Sequence, residues 1–321
     1  MFPSFKRTSA LTFCIMAFAF FVNSQQPDSL KTKRVESPPD SLSFSKLDSI
    51  FSASDSLSIF GMIDSLLNQS YDLGSSLVAR AGYNSNIVTA GRTIGINQKG
   101  ATAGLSYYHK SGLYADLTSY WSQEYNPTLY LTIASVGYLK VISKRYSVMA
   151  SYDRFIYNNN DINTETPLTN MVAFSNFLDF KPITIRLDYS YYFGNESAHR
   201  LTPGVLISLR KYNFIGLDRI SFMPSFQMLF GSAIITTTQF ITSYRKLSRY
   251  RQYDQIKFGL MNYAVSFPLR ITKKDWSLMA SYTYNWPVAL PGEDSVIPEN
   301  SFVSITISKT INFGTKAKKV L

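Results

Sequence analysis

From residue 74 onward, polar and apolar residues alternate in short runs, and the run Lys181–Gly194 does so most cleanly. Successive strand side chains point to opposite faces. That sorts Ile183, Ile185, Leu187, Tyr189, Tyr191 and Phe193 onto one face, and Thr184, Arg186, Asp188, Ser190 and Tyr192 onto the other. A helix would scatter Arg186 and Asp188 among the isoleucines. The apolar face is aliphatic in the middle and aromatic toward one end, the profile of a strand whose outer side meets lipid.

About twelve such segments of ten or so residues can be placed, near 75–84, 100–108, 112–122, 129–140, 145–157, 168–178, 182–193, 200–210, 219–230, 255–270, 275–286 and 301–313. Ten residues is the length a tilted membrane strand needs. Segments 129–140 and 168–178 alternate poorly. In the last segment, Lys309 interrupts the apolar face and is expected to snorkel toward headgroups. Connections after even-numbered segments are mostly short (His109–Ser111, Val141–Lys144, Asp179–Lys181, Ile271–Lys274), with Lys211–Asp218 somewhat longer. Those after odd-numbered ones tend to be longer and more polar (Ser85–Lys99, Asn158–Pro167, Gly231–Asp254, Pro287–Asn300). Outer-membrane barrels have short periplasmic turns and longer external loops. An open sheet edge in hydrocarbon would leave backbone groups unpaired, so the sheet must close. The expected fold is all-β, a closed antiparallel transmembrane β-barrel of about 12 strands, within a range of 10–14, with short N-terminal helices. A fourteen-strand count would add Ile234–Tyr244 as a hairpin arm, either above the membrane or within the wall.

Ahead of the strands, residues 1–24 have the form of a signal peptide. Lys6 and Arg7 precede an apolar Ala10–Val22, and Asn23-Ser24-Gln25 offers cleavage near Ser24. Cys14, the only cysteine, lies inside this segment, so the mature chain would carry no thiol. Residues 25–73 read as a periplasmic linker, rich in Ser, Pro and charge at first. One or two short amphipathic helices follow, with Phe44, Leu47, Ile50 and Phe51 on one face and Ile59, Ile63 and Leu66 or Leu67 on another. They would tether the barrel, plug its lumen or lie on the membrane. Residues 74–313 form the barrel, and 314–321 a basic tail.

Signal peptide, alternation, loop phase and an apolar-aromatic last strand ending at Phe313 together resemble a Gram-negative outer-membrane β-barrel protein. The resemblance covers residues 74–313, is architectural, and matches the motifs of no particular subfamily. It implies residence in the outer membrane, insertion by the barrel-insertion machinery, and contact with outer-membrane lipid including lipopolysaccharide. The tail beyond Phe313 departs from the many such proteins that end on the aromatic itself.

Composition adds three points. The aromatic share is 15%, with 22 Tyr and 23 Phe, which suits aromatic girdles. No stretch after residue 24 is long and apolar enough for a membrane helix. The net charge of +11 is dispersed among turns and the tail, which argues against nucleic acid as a partner.

The candidate chemistry lies inside. Arg80, Asp116, Asp153, Arg186 and Asp188 fall on the polar faces and are expected to line the lumen, either along a solute path or paired with one another. Tyr244 to Arg251, carrying Arg245, Lys246, Arg249 and Arg251, is a basic-aromatic external loop suited to lipid phosphates. His109-Lys110-Ser111 has the His-x-Ser spacing of outer-membrane lipid hydrolases but sits in a turn and lacks the Asn-Gly that usually follows. His199 is placed in an external loop with Asn195, Glu196 and Ser197, where it could touch a ligand or metal. Pro291-Gly292-Glu293-Asp294 is a turn. No metal, phosphate or dinucleotide motif is present, and neither a cofactor nor catalysis is expected. The expected role is a narrow passive channel for small solutes. The alternative is a structural or accessory barrel with a closed lumen that recruits a partner, and a lipid-modifying enzyme ranks third.

Overall fold

The computed structural model describes residues 74–86, 99–123, 127–158, 168–242, 248–293 and 297–313; for 233–242 and 248–255 it describes the backbone. The strands are β1 (Ser75–Asn84), β2 (Gly100–Tyr108), β3 (Leu113–Ser122), β4 (Leu129–Val141), β5 (Tyr146–Tyr157), β6 (Leu168–Phe180) and β7 (Ile183–Gly194). They continue as β8 (Ser197–Ile207), β9 (Leu209–Phe214), β10 (Leu217–Phe222), β11 (Ser225–Thr242), β12 (Ser248–Lys273), β13 (Trp276–Pro287) and β14 (Asn300–Phe313). Neighbours in the wall are antiparallel, and β1 pairs with β14 over its whole length, from Ser75 opposite Phe313 to Asn84 opposite Ser304. With β8 pairing β11 and β11 pairing β12, the ring closes. Every strand of the ring therefore has hydrogen-bonding partners on both sides, as hydrocarbon demands.

The closed ring has the expected twelve strands, β1–β8 and β11–β14, and two further strands lie outside it. The extra pair, β9 and β10, is a hairpin that prolongs β8 and β11 past the short-turn end, where β10 still pairs with β12. The sequence run 200–230 looks like two strands because one residue, Ser208, separates β8 from β9, and only Met223-Pro224 separates β10 from β11. A proline cannot donate to a ladder, so it marks such a break. One part of the expected fold is corrected: the short N-terminal helices are not part of the described fold, which contains no helix among the described residues. The segment 25–73 on which they were expected lies outside the described residues, as do 1–24 and 314–321. An amphipathic pattern names a buried face but not the surface that covers it.

The described part of the segment Ile234–Tyr244, up to Thr242, does not enter the ring. β11 pairs β8 only as far as Gly231 opposite Arg200, and from there to Thr242 it pairs β12 alone. β12 in turn meets β13 from Asn262 downward. The upper parts of β11 and β12 thus form a two-stranded arm past the wall. The turn phase holds with one exception: β7 and β8 are joined at the loop end by Asn195 and Glu196 alone.

Sidedness is the reverse of a water-soluble core. Leu105, Leu117, Val136, Val172, Leu187, Leu278, Ile305 and Ile307 are large apolar residues exposed on the outer face. Ser106, Thr118, Asp153, Ser175, Asp188, Ser281, Thr283 and Ser304 are buried on the inner one. Rings gather at the strand ends on the outside, among them Tyr189, Tyr191, Phe193, Tyr284 and Trp286 near the loops and Trp276, Phe180 and Phe313 near the turns. This is the apolar band with flanking girdles of a membrane barrel.

Inside, the two larger of three apolar clusters among the described residues sit at different heights, the third being Leu229, Met261 and Leu290. Near the loop end, Tyr120, Leu131, Ile133, Phe155, Leu168, Met171, Tyr192 and Ala198 pack together. Near the turns, Leu139, Met149, Phe177, Leu206 and Met223 form a second cluster. These clusters explain why 129–140 and 168–178 alternate poorly: both faces of β4 and β6 are apolar at their ends, one toward lipid and one toward the lumen.

Candidate functional site

Between the two inner clusters lies a belt of charged and hydroxylated side chains. Arg80 on β1 reaches across β2 to β3. Its Nη2 donates to Asp116 Oδ2 at 2.7 Å and also to Thr118, and its Nη1 donates to Ser106. Thr118 Oγ1 donates to Asp116 Oδ2 at 2.7 Å, and Ser106 donates to the other carboxylate oxygen. One guanidinium and one carboxylate therefore share two hydroxyls, which satisfies the polar atoms that an inner wall would otherwise leave unpaired. Gly104 makes room for this network: a Cβ there would stand 2.9 Å from Arg80 Cζ and Nε.

Arg186 and Asp188 form the second pair, both inward on β7 and in direct contact. The Arg186 guanidinium stands 5.9 Å from the Phe177 ring, at the upper edge of the turn-end cluster. Asp153, on β5, is buried and accepts a hydrogen bond from Ser151 Oγ at 3.2 Å. All five residues expected in the lumen are thus inward-facing. Four of them stand in two ion pairs; Asp153 is held by a hydroxyl.

Two further inward arginines belong with these. Arg200 on β8 donates to Tyr192 Oη at 3.1 Å, with its guanidinium 4.8 Å from that ring. Arg270 on β12 donates to Ser277 Oγ at 3.3 Å, and Ser277 is 2.7 Å from Ser308 Oγ. The alternation of β8 and β12 carried this signal, since Arg200 shares parity with Leu206 and Arg270 with Ser266. The wall on the β12–β14 side is amide and hydroxyl in character. Asn262 Nδ2 donates to Asn285 Oδ1, and Asn285 Nδ2 donates to Asn300 Oδ1, each at 2.9 Å. Ser266 and Thr283 lie 2.9 Å apart just below.

Of the expected external loop, Arg245 and Lys246 lie outside the described residues, and Arg249 and Arg251 are on the β12 part of the arm, where the backbone is described. His109 Nδ1 lies 2.8 Å from Ser111 Oγ and accepts the Ser111 backbone N–H at 3.3 Å. The pair closes on its own turn, where Gly112 N donates to His109 O at 2.9 Å. His199 is not in a loop. It lies on β8, outward, with Nδ1 2.8 Å from Tyr189 Oη and its ring 4.8 Å from Tyr191, so it belongs to the aromatic girdle. Pro291–Glu293 does turn, with Glu293 Oε2 accepting the Leu290 N–H at 2.9 Å. Asp294 lies outside the described residues.

No family model matches the chain, and no curated protein does. Among solved structures it is similar to the KdgM porin (8% identity, 73% of this chain and 98% of that one, TM-score 0.42). It is also similar to the NanC porin (14% identity, 74% and 100%, TM-score 0.40) and to the Acinetobacter baumannii outer membrane protein Omp33 (8% identity, 76% and 100%, TM-score 0.31). These overlaps are too loose to transfer any chemistry. The barrel follows from the chain's own pairing of β1 with β14 and from its apolar outer face. On that basis the chain is an outer-membrane β-barrel protein.

Proposed function

We propose that this barrel is a narrow passive channel for small hydrophilic solutes. The observation that carries the reading is the inner belt, where polar and charged side chains line a closed wall whose outside is apolar. Opposite charges stand in pairs there (Arg80 with Asp116, Arg186 with Asp188), so the belt offers hydrogen bonds without a strong field of one sign. A ring of twelve strands lies between the eight that side chains fill and the sixteen that leave an open aqueous channel. The apolar clusters above and below narrow the path further and would resist wetting, as hydrophobic constrictions do.

Planar-bilayer recording tests this. Small, discrete, voltage-independent steps with weak ion selectivity are expected, and Arg186→Gln should shift the selectivity toward cations. The burial of Leu131, Phe177 and Met223 to 1% exposure or less favours a second reading, a closed-lumen accessory barrel. Under that reading no steps occur in a protein that is folded by heat-modifiable gel mobility.

Residues 1–24 are proposed as the export signal, cleaved near Ser24, 25–73 as a periplasmic linker and 314–321 as a basic tail. The loop carrying Arg245, Lys246, Arg249 and Arg251 is proposed to meet lipopolysaccharide phosphates, and the barrel-insertion machinery to fold the chain into the membrane.

A further inference from the structure

The short-turn rim of the barrel carries a charge pattern that the lumen does not use. Lys140, Lys144, Arg145, Lys211, Lys273 and Lys309 are all exposed there. Among the described residues, the exposed acids of that rim are Asp218 and Asp275. Asp218 is engaged locally, since its carboxylate accepts the backbone N–H of Lys274. At the other end of the strands, the exposed charges among the described residues are Lys99, Arg154 and Glu299.

Parity fixes where three of these cations point. Lys140 shares the outward face of β4 with Val136 and Tyr138, Lys273 that of β12 with Phe267 and Leu269, and Lys309 that of β14 with Ile305 and Ile307. They flank the lipid side and not the mouth of the lumen, so attraction of solutes to the pore does not explain them. Three of the rim cations also sit over rings at this level. Lys211 Nζ is 3.6 Å from the Phe214 ring, Lys309 Nζ 5.3 Å from Trp276, and the Arg145 guanidinium 5.9 Å from Phe180. An aromatic body at the apolar boundary with a cation above it holds that charge at headgroup height.

We propose that this rim is a binding surface for the phosphates of anionic phospholipid headgroups, in the leaflet on the short-turn side. The β9–β10 hairpin extends the surface beyond the ring. Its outward residues Leu209, Lys211 and Ile220 continue the alternation of the wall, and its tip exposes Ile215 to 81%. A tongue of this composition suits the headgroup layer, with apolar side chains toward the acyl boundary and Lys211 among phosphates. Charges near such a surface act within a Debye length, so salt should weaken the preference.

The test uses the full barrel in phosphatidylcholine bilayers with and without phosphatidylglycerol, reading the lipids retained by native mass spectrometry. Enrichment of phosphatidylglycerol over its bulk share is expected at low salt. It should fall by at least roughly fivefold in a Lys144→Gln/Arg145→Gln/Lys273→Gln/Lys274→Gln variant, whose changes lie in turns or at a strand end and leave gel mobility as in wild type. No enrichment in the wild type, or equal enrichment in the variant, overturns the proposal. Complete displacement by an equal concentration of inorganic phosphate would make the rim a free-phosphate site and overturn the membrane assignment. Charge-dependent capture of soluble polyglutamate without lipid enrichment would assign it to an acidic protein partner, again overturning it.

Discussion

Arg80 and Asp116 show what a single inward charge costs and what it needs. Each is mostly shielded, at 13% and 15% side-chain exposure, and each is satisfied by the other and by two hydroxyls. Removing one partner strands the other, at about 3–5 kcal/mol for a well-buried pair. The partial exposure lowers that, so Arg80→Ala or Asp116→Ala should destabilise by about 2–3 kcal/mol in urea unfolding from vesicles. The double variant should lose clearly less than the sum of the two, and additivity would remove the network from the account. Gly104→Leu should act on the same network without touching either charge, because its side chain would occupy the place of the Arg80 guanidinium. At this scale the sequence was legible wherever parity was clean. Arg186 and Asp188 stand out among isoleucines. Arg200 and Arg270 escaped because β8 carries Pro203 and Gly204, and β12 carries Pro268, inside runs that alternate less sharply.

Among the elements, β9 and β10 separate what closes the barrel from what decorates it. The ring is completed by β8 on β11, from Leu206 opposite Ser225 to Arg200 opposite Gly231, and the hairpin adds to it only β10 against Leu269–Thr272 of β12. Replacing 209–222 by a two-residue Asn-Gly turn should leave heat-modifiable mobility and protease resistance unchanged, since such a turn suits a two-residue hairpin. Loss of the folded band would mean that β10 on β12 is needed for closure. The hairpin was not legible as a separate element. Its residues alternate in phase with the neighbouring strands, and only Pro224 and the turn at Asn213–Gly216, with positive φ at Asn213, Ile215 and Gly216, mark its limits. The arm made by β11 and β12 was hidden for a related reason. Nothing in a β-pattern says whether a strand's second edge is paired or free, and the same run can serve in a wall or above it.

For the whole molecule, the decisive quantity is the difference between its two faces. The run Lys181–Gly194 gave the sidedness correctly because lipid and lumen impose opposite preferences on alternate residues, and twelve strands repeat the choice. What the pattern could not state was how full the lumen is, since an inward Leu131 or Phe177 reads as noise in an alternating strand when it is part of an inner cluster. The outer face offers the sharpest test of the arrangement. Leu187 lies near the middle of β7, exposed to 44%, between Asn176 of β6 and Pro203 of β8. Arginine at this position faces hydrocarbon and should destabilise the folded barrel by about 2–4 kcal/mol in reversible unfolding from bilayers. The same substitution at Ile183, at the turn end of the same strand and face, should cost about 0–1 kcal/mol, because the guanidinium reaches headgroups there. A soluble sheet has no reason to distinguish two exposed positions on one face. Equal effects at Leu187 and Ile183 would therefore place no bilayer across β7, and the channel reading would fall with it.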